Sequence, residues 1–282
     1  MGPILFIIYA FDMWCAMESN MVAYADDTTL YAIIPSPQDR QRIANVVTRD
    51  VSKIMSWCNR WGMKLNPSKS HSMIISRSRT PFPSHPDIIV NGVAIPNCSS
   101  IKLLGVTLDP KLTFELHLRS LASSISRKVG LLRKCSRIYS SDDIVKSCFY
   151  SFILPHFEYC HSVWISAAES NLKLLDRAFS HVKFLLPNLE IKLRHRRMVG
   201  SLSYFFKIMS NVNHPLHHHL PAPLQPTRAT RHSVSLNDRS LSVNRCNTSQ
   251  FSRCFIPASV RLWNTLPSEI VNSSNCETFK NV

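Results

Sequence analysis

From residue 113 to residue 210 the apolar side chains recur at the spacing of an α-helix, whereas upstream they gather in short runs broken by turn formers. This change of period within one chain predicts an α+β fold. Antiparallel strands with flanking helices should occupy about residues 1–110, and a helical region 111–212. In "FELHLRSLASSISRKVGLLRKCSR", the stretch of about 114–137, Leu118, Leu121, Ala122, Ile125, Val129 and Leu132 form one stripe, and Arg119, Arg127, Lys134 and Arg137 fall mostly on the opposite side. The last stretch, 213–282, is rich in Pro, Ser, Asn and Arg and has one apolar island, "FIPASVRLWNTLP". Its weak periodicity predicts a loosely structured C-terminal region, and no internal repeat is evident.

The upstream part reads as alternating helices and hairpins. "GPILFIIYAFDM" is apolar from Pro3 to Phe11 and then meets Asp12, which makes it too short to span a bilayer. Without a basic leader it is a poor signal peptide, so a core helix is expected, and its abrupt start at Met1 suggests a missing upstream segment. Ser36, Pro37 and Asp39 are placed to start a helix whose apolar positions are Ile43, Val46, Val47, Ile54, Trp57, Cys58 and Trp61, with Gly62 as its stop. "SMIIS" reads as a strand and "DIIVNGVAI" as a hairpin around Asn91-Gly92, which tolerates positive φ. "IKLLGVTLD" is a further strand, with Gly105 marking a bend or a close backbone approach.

Charge narrows the partners. Lys and Arg number 33 against 18 acids, a formal charge of +15, which favours a polyanion: nucleic acid first, an acidic membrane surface second. Solubility without function is the competing explanation. Residues 111–140 hold seven Lys or Arg and one acid, Glu115, so Arg119, Arg127, Lys128 and Lys134 are candidate phosphate contacts or members of a solvated face. Only six glycines occur, and the glycine-rich phosphate loops and the GxSxG nucleophile elbow are absent. Nine cysteines without CxxC pairs suit free thiols in a reducing compartment and not a disulfide framework.

The candidate chemistry lies in "MVAYADDTTLYAI". Asp26 and Asp27 sit between two β-favouring runs with no helix behind them, unlike Asp142 and Asp143, whose place at a helix start is explained by the helix dipole. Adjacent carboxylates at a hairpin tip repel unless a cation is shared, and hard oxygens suit Mg²⁺. From these residues alone a polar turn and half of a metal site both stay open. His214, His217, His218 and His219 lack cysteines at ligand spacing, which makes zinc a weak reading, and Cys160-His161 suits core packing.

The ordered series "GPILFIIYAFDM", "YADDTTLY", "WCNRWGMKLNPSKSHSMIIS" and "IKLLGVTLDPKLTF" resembles the reverse transcriptases of non-LTR retrotransposons, the jockey and chicken-repeat-like LINE elements. The likeness continues through "LPHFEYCHSVW", "HPLHHHLP", "TRATRHSV" and "FIPASVRLWNTLP", nearly to the end, but covers only the C-terminal part of the family's polymerase. The resemblance implies a partial polymerase palm followed by a helical thumb, with RNA template and DNA primer as partners and no membrane. Asp26 and Asp27 would be the palm carboxylates that hold Mg²⁺, with Tyr24 and Ala25 beside the primer end. Lys69 would stand where a basic residue protonates the departing pyrophosphate, a surface lysine being the alternative. Leu104, Gly105 and Val106 would belong to the hairpin that grips the primer, and the basic helix to the thumb.

Departures qualify what the resemblance implies. The family's Pro-Gln-Gly segment, fingers, third metal-binding aspartate and endonuclease domain have no counterpart in these residues. The expectation is an intracellular reverse transcriptase fragment inactive alone. A nucleic-acid-binding module without chemistry and a relic of a truncated element are the other readings.

Overall fold

The computed structural model describes residues 2–15, 17–76, 78, 86–138, 141–224 and 237–281. It has two compact units, Met1–Leu103 with Asp109–Lys111, and Leu104–Leu108 with Leu112–Val282. Helices and small antiparallel sheets together make the chain α+β.

The first unit runs α1 (Gly2–Tyr9), the hairpin of β1 (Asn20–Tyr24) and β2 (Asp27–Tyr31), α2 (Arg40–Arg60), the hairpin of β3 (Ile89–Val90) and β4 (Val93–Ala94), and β5 (Ile101–Leu103). A 3-10 turn at Pro37–Asp39 precedes α2, and the Ser36 hydroxyl donates to Asp39 Oδ2 at 2.9 Å instead of accepting from a backbone N–H. At the other end Gly62 takes φ +71°, and the N–H groups of Gly62 and Met63 return to the carbonyls of Asn59 and Cys58. That is the Schellman stop, which satisfies carbonyls the helix leaves orphaned. The α2 face bearing Ile54, Trp57 and Cys58 packs on Ala10 and Met13, while Val51 packs on Val90 and Ile95, and Leu30 reaches both clusters.

Three expectations for this part need correction. The N-terminal apolar run is helical over Gly2–Tyr9 but that helix is not a core helix: none of its residues is buried, Ile4, Leu5, Ile7 and Ile8 are all at least 60% exposed, and only Ala10, just past its end, is buried. A short helix that is apolar on every side buries only the side facing α2, here Phe6 and Tyr9. "SMIIS" is not a strand. Ser72 forms an isolated bridge to Asn97 through Pro96 O and Cys98 N, while the Ser76 N–H goes elsewhere, to Pro110 O at 2.8 Å, so no ladder continues along the segment. "IKLLGVTLD" is two short strands, β5 and β6 (Val106–Leu108), because Leu104 and Gly105 both take positive φ.

The second unit contains β6, α3 (Glu115–Ile138), α4 (Asp142–Phe152), α5 (Leu154–Glu158), α6 (His161–Trp164), α7 (Glu169–Leu185) and α8 (Leu193–Ser210). After a 3-10 turn at His217–His219 follow α9 (Ser249–Arg253), α10 (Phe255–Trp263), α11 (Ser268–Val271) and α12 (Cys276–Asn281). The stripe Leu118, Ile125, Val129 and Leu132 is buried against Phe149, Phe157, Leu175, Phe179 and Val182. The C-terminal region is more ordered than its sequence suggests: Trp263, Val260, Val271 and Phe279 form a second core with Phe205 and Phe206 of α8. Short helices give no readable period, and polar side chains do the work of strands. Asn264 exchanges two hydrogen bonds with the Leu241 backbone, 3.0 and 2.7 Å, and Asn237 donates to Trp263 O and Leu266 O. "TRATRHSV", residues 227–234, lies outside the described residues. No described helix is long and apolar enough to cross a membrane.

One buried charge sets the geometry of the first unit. Asp50, on α2, is 0% exposed and accepts from the backbone N–H groups of Glu18 and Ser19, the Ser19 hydroxyl at 2.6 Å, and Lys53 Nζ at 2.9 Å. Burial opposes its ionisation, but the donors from Ser19, Lys53 and Glu18 outweigh that and hold its carboxyl at about 2. A depressed carboxylate pKa adds stability that is fully present above the unfolded value, near pH 4, and is lost as pH falls through the folded value. Asp50→Ala should therefore cost about 3 kcal/mol at neutral pH. Denaturant titrations of the two proteins should show that gap shrinking by about 2 kcal/mol between roughly pH 5 and 2. A gap independent of pH would contradict this account.

Candidate functional site

In the β1–β2 hairpin the register pairs Met21 with Leu30, Val22 with Thr29 and Tyr24 with Asp27, leaving Ala25 and Asp26 as the turn. Met21 and Leu30 share the face turned to the core, so Val22, Tyr24, Asp27 and Thr29 share the other. That second face is open: Val22 is 56% and Tyr24 67% exposed. Ala25 has φ 52°, a left-handed conformation that costs a residue with a Cβ about 1–2 kcal/mol. The result is a tight tip that presents Asp26 and Asp27, both exposed, one in the turn and one opening β2. In kind, carboxylate oxygens fit a hard divalent cation. In number they fall short, since such an ion takes about six oxygen ligands. Among the described residues no group of three or more His, Cys, Asp or Glu is placed to hold a metal.

Lys69 ends a 3-10 turn, Pro67–Lys69, which Asn66 caps by accepting from Ser68 N at 3.0 Å. Its side chain is exposed. The four histidines around the 217–219 turn include a close pair, His218 and His219, with ring centroids 4.0 Å apart, and form no metal-holding group with described residues. His161 is half-buried, with Nε2 2.8 Å from Ser201 Oγ and Nδ1 3.1 Å from Glu158 O. Desolvation lowers its pKa from the ordinary value.

Leu104 and Gly105, between β5 and β6, take φ 44° and 84°. For Gly105 this is easy; for Leu104 it costs about 1–2 kcal/mol. The hydroxyl of Tyr159 donates to Leu104 O at 2.9 Å, and such a bond contributes about 1 kcal/mol in return.

On α3 the cations divide by environment. Arg127, Lys134 and Arg137 are exposed on the side opposite the buried stripe, and none forms an ion pair among the described residues. Arg119 shares that side but is held by Glu115, one turn earlier, at 2.8 Å. Lys128 is half-buried and donates to His156 Nε2. Burial, and then the Lys128 charge, push the His156 pKa down, so a neutral His156 accepts from the lysine.

Sequence reasoning missed Asp50, Tyr159 and Arg197. Arg197 donates from Nε to Phe157 O at 3.2 Å and lies 5.3 Å from the Trp164 ring, and burial lowers its pKa against the pull of Asp176 and Glu158. A lone acid on the apolar face of α2 was the available signal for Asp50. Nothing in the spacing of Tyr159 or Arg197 marks them, because their partners lie far along the chain.

Against known proteins, the family model for reverse transcriptase (RNA-dependent DNA polymerase) matches residues 1–108. The chain is 25% identical over 205 residues to the probable RNA-directed DNA polymerase from transposon X-element of Drosophila melanogaster, covering 69% of this chain and 22% of that protein. It is 26% identical over 181 residues to the probable RNA-directed DNA polymerase from transposon BS of the same organism, with 61% and 20% covered. To the RNA-directed DNA polymerase from mobile element jockey it is 27% identical over 184 residues, with 61% and 19% covered. The chain thus spans about a fifth of the length of these relatives. No solved structure matches it significantly. The chain is similar to the RNA-directed DNA polymerases of these mobile elements, and residues 1–108 match the reverse transcriptase (RNA-dependent DNA polymerase) family.

Proposed function

We propose that this chain supplies the carboxylate hairpin and a phosphate-binding helix of an RNA-directed DNA polymerase. The observation that carries the reading is the exposed Asp26-Asp27 tip, set on a two-residue turn inside the segment that matches the reverse transcriptase family. In this reading residues 1–110 are palm, 111–212 thumb, and 213–282 a C-terminal extension, acting inside the cell on an RNA template and a DNA primer. Asp26 and Asp27 are the residues that would hold Mg²⁺, which when bound stabilises charge on transferring phosphoryl oxygens. Tyr24 and Ala25 flank the primer end, Lys69 is the candidate proton donor to the leaving group, and Leu104 and Gly105 grip the primer.

The Asp26-Asp27 donor set is incomplete, so the 282-residue polypeptide by itself is expected not to extend a primer on RNA with Mg²⁺ or Mn²⁺. Extension abolished by Asp26→Ala would refute that. A positive test grafts residues 20–31 into the jockey polymerase. The chimera should extend a primer and lose at least about a thousandfold in rate with Asp26→Ala, several kcal/mol of transition-state stabilisation. A chimera indifferent to Asp26→Ala removes the carboxylates from the chemistry.

The exposed cations of α3 favour a second, compatible reading, a nucleic-acid-binding surface that works without catalysis. Each phosphate neutralised contributes about 0.7 to 0.9 to the slope of log K against log salt. Substituting alanine for Arg127, Lys134 and Arg137 together should flatten the slope by about two to three units. An unchanged slope in the triple variant would make the basic side a solvated face.

A further inference from the structure

We propose that Tyr159 is a positioning residue for the nucleic-acid end received by the Leu104–Gly105 turn, an inference that rests on the primer-gripping reading of that turn. Two adjacent left-handed residues make the tight turn between β5 and β6, and the one that is leucine carries strain that a bond from outside the turn helps to hold. Tyr159 meets the turn twice. Its hydroxyl donates to Leu104 O at 2.9 Å, and its ring covers Gly105 so closely that a Cβ there would stand 3.3 Å from ring Cε1.

The phenol is fixed from behind by its own backbone. The Tyr159 N–H donates to Pro155 O at 2.9 Å, and its carbonyl accepts from Trp164 Nε1 at 3.0 Å. Trp164 is 1% exposed, with the Arg197 guanidinium over its ring. Arg197 in turn donates to Phe157 O, two residues before Tyr159. Immediately after Tyr159 the chain turns through Cys160 at φ 50°. Core residues therefore set where this ring stands, yet the ring itself is half exposed beside a half-exposed Leu104. An aromatic face and an aimed turn at one point suit a terminal nucleotide, whose base stacks on such rings irrespective of sequence.

The test uses the full chain and two RNA–DNA hybrids of equal length, one with a recessed DNA 3′ end and one blunt, with Kd read by fluorescence anisotropy across a salt series. Wild type should prefer the recessed hybrid. Tyr159→Phe, which keeps the ring and removes the hydroxyl that donates to Leu104 O, should raise Kd for the recessed hybrid about three- to tenfold and leave the blunt hybrid and the salt slope unchanged. Tyr159→Ala should lose roughly tenfold or more on the recessed hybrid, and Gly105→Ala, which crowds the ring and strains the turn at φ 84°, should weaken the same hybrid by a smaller factor. Wild type without an end preference, or a Tyr159→Phe protein that keeps it, overturns the inference while the basic-helix reading stands. Equal weakening on both hybrids with a lowered thermal midpoint also overturns it, since Tyr159 would then be merely structural. Absence of any salt-dependent binding by wild type brings down the nucleic-acid reading itself.

Discussion

The carboxylate of Asp50 is the fixed point of the first unit. It takes the N–H groups of Glu18 and Ser19, the two residues that lead into β1, and ties them to the middle of α2. A buried charge with several donors tolerates little displacement, because any donor that leaves exposes an uncompensated charge in a poorly solvated place. The start of β1 is thereby set relative to α2. The antiparallel register then sets everything after it, since a slip of one residue would exchange the face of Met21 and Leu30 for the face of Tyr24 and Asp27. The position of the two exposed carboxylates follows from one carboxylate that is not exposed at all.

Aspartate plays distinct parts in this chain, and environment separates them. Asp142 and Asp143 open α4, where unsatisfied N–H groups and the positive end of the dipole favour them. Asp50 is surrounded by donors and is held ionised far below the usual range. Asp26 and Asp27 stand at a tip in water, with nothing in their own hairpin to explain adjacent charges.

What was legible in the sequence follows from the range of the forces involved. The α2 and α3 stripes, the Gly62 stop and the Asn91-Gly92 hairpin are local, and their residues announce them. The tip at Asp26-Asp27 was legible for the same reason, and so was the exposed cationic side of α3. Long-range pairings were not. Asp50 with Ser19, Tyr159 with Leu104, and Asn264 with Leu241 join residues that no period connects. The burial of the C-terminal island around Trp263 depends on α8, tens of residues upstream, so composition alone made that region look loose. The exposed α1 failed in the opposite sense: apolar composition promised burial, and too few neighbours deliver it.

Scarcity of glycine sharpens the reading of the turns. With six glycines in 282 residues, left-handed backbone falls on residues that bear a Cβ, among them Ala25 and Leu104. Asn91 in the β3–β4 turn is an ordinary choice, since its side chain tolerates that region. Ala and Leu are not. Strain of this kind persists only where the surroundings over-determine the conformation. At Ala25 the hairpin register does so from both sides, and at Leu104 the Tyr159 hydroxyl does so from outside the turn. The turn at Ala25 belongs to the first unit and the turn at Leu104 to the second, and each presents the residues that the polymerase reading places against nucleic acid. Glycine at either position would relax the backbone and also widen the conformations open to it. A turn that must aim a carboxylate or a carbonyl is better served by a strained residue held fast than by a relaxed one left free.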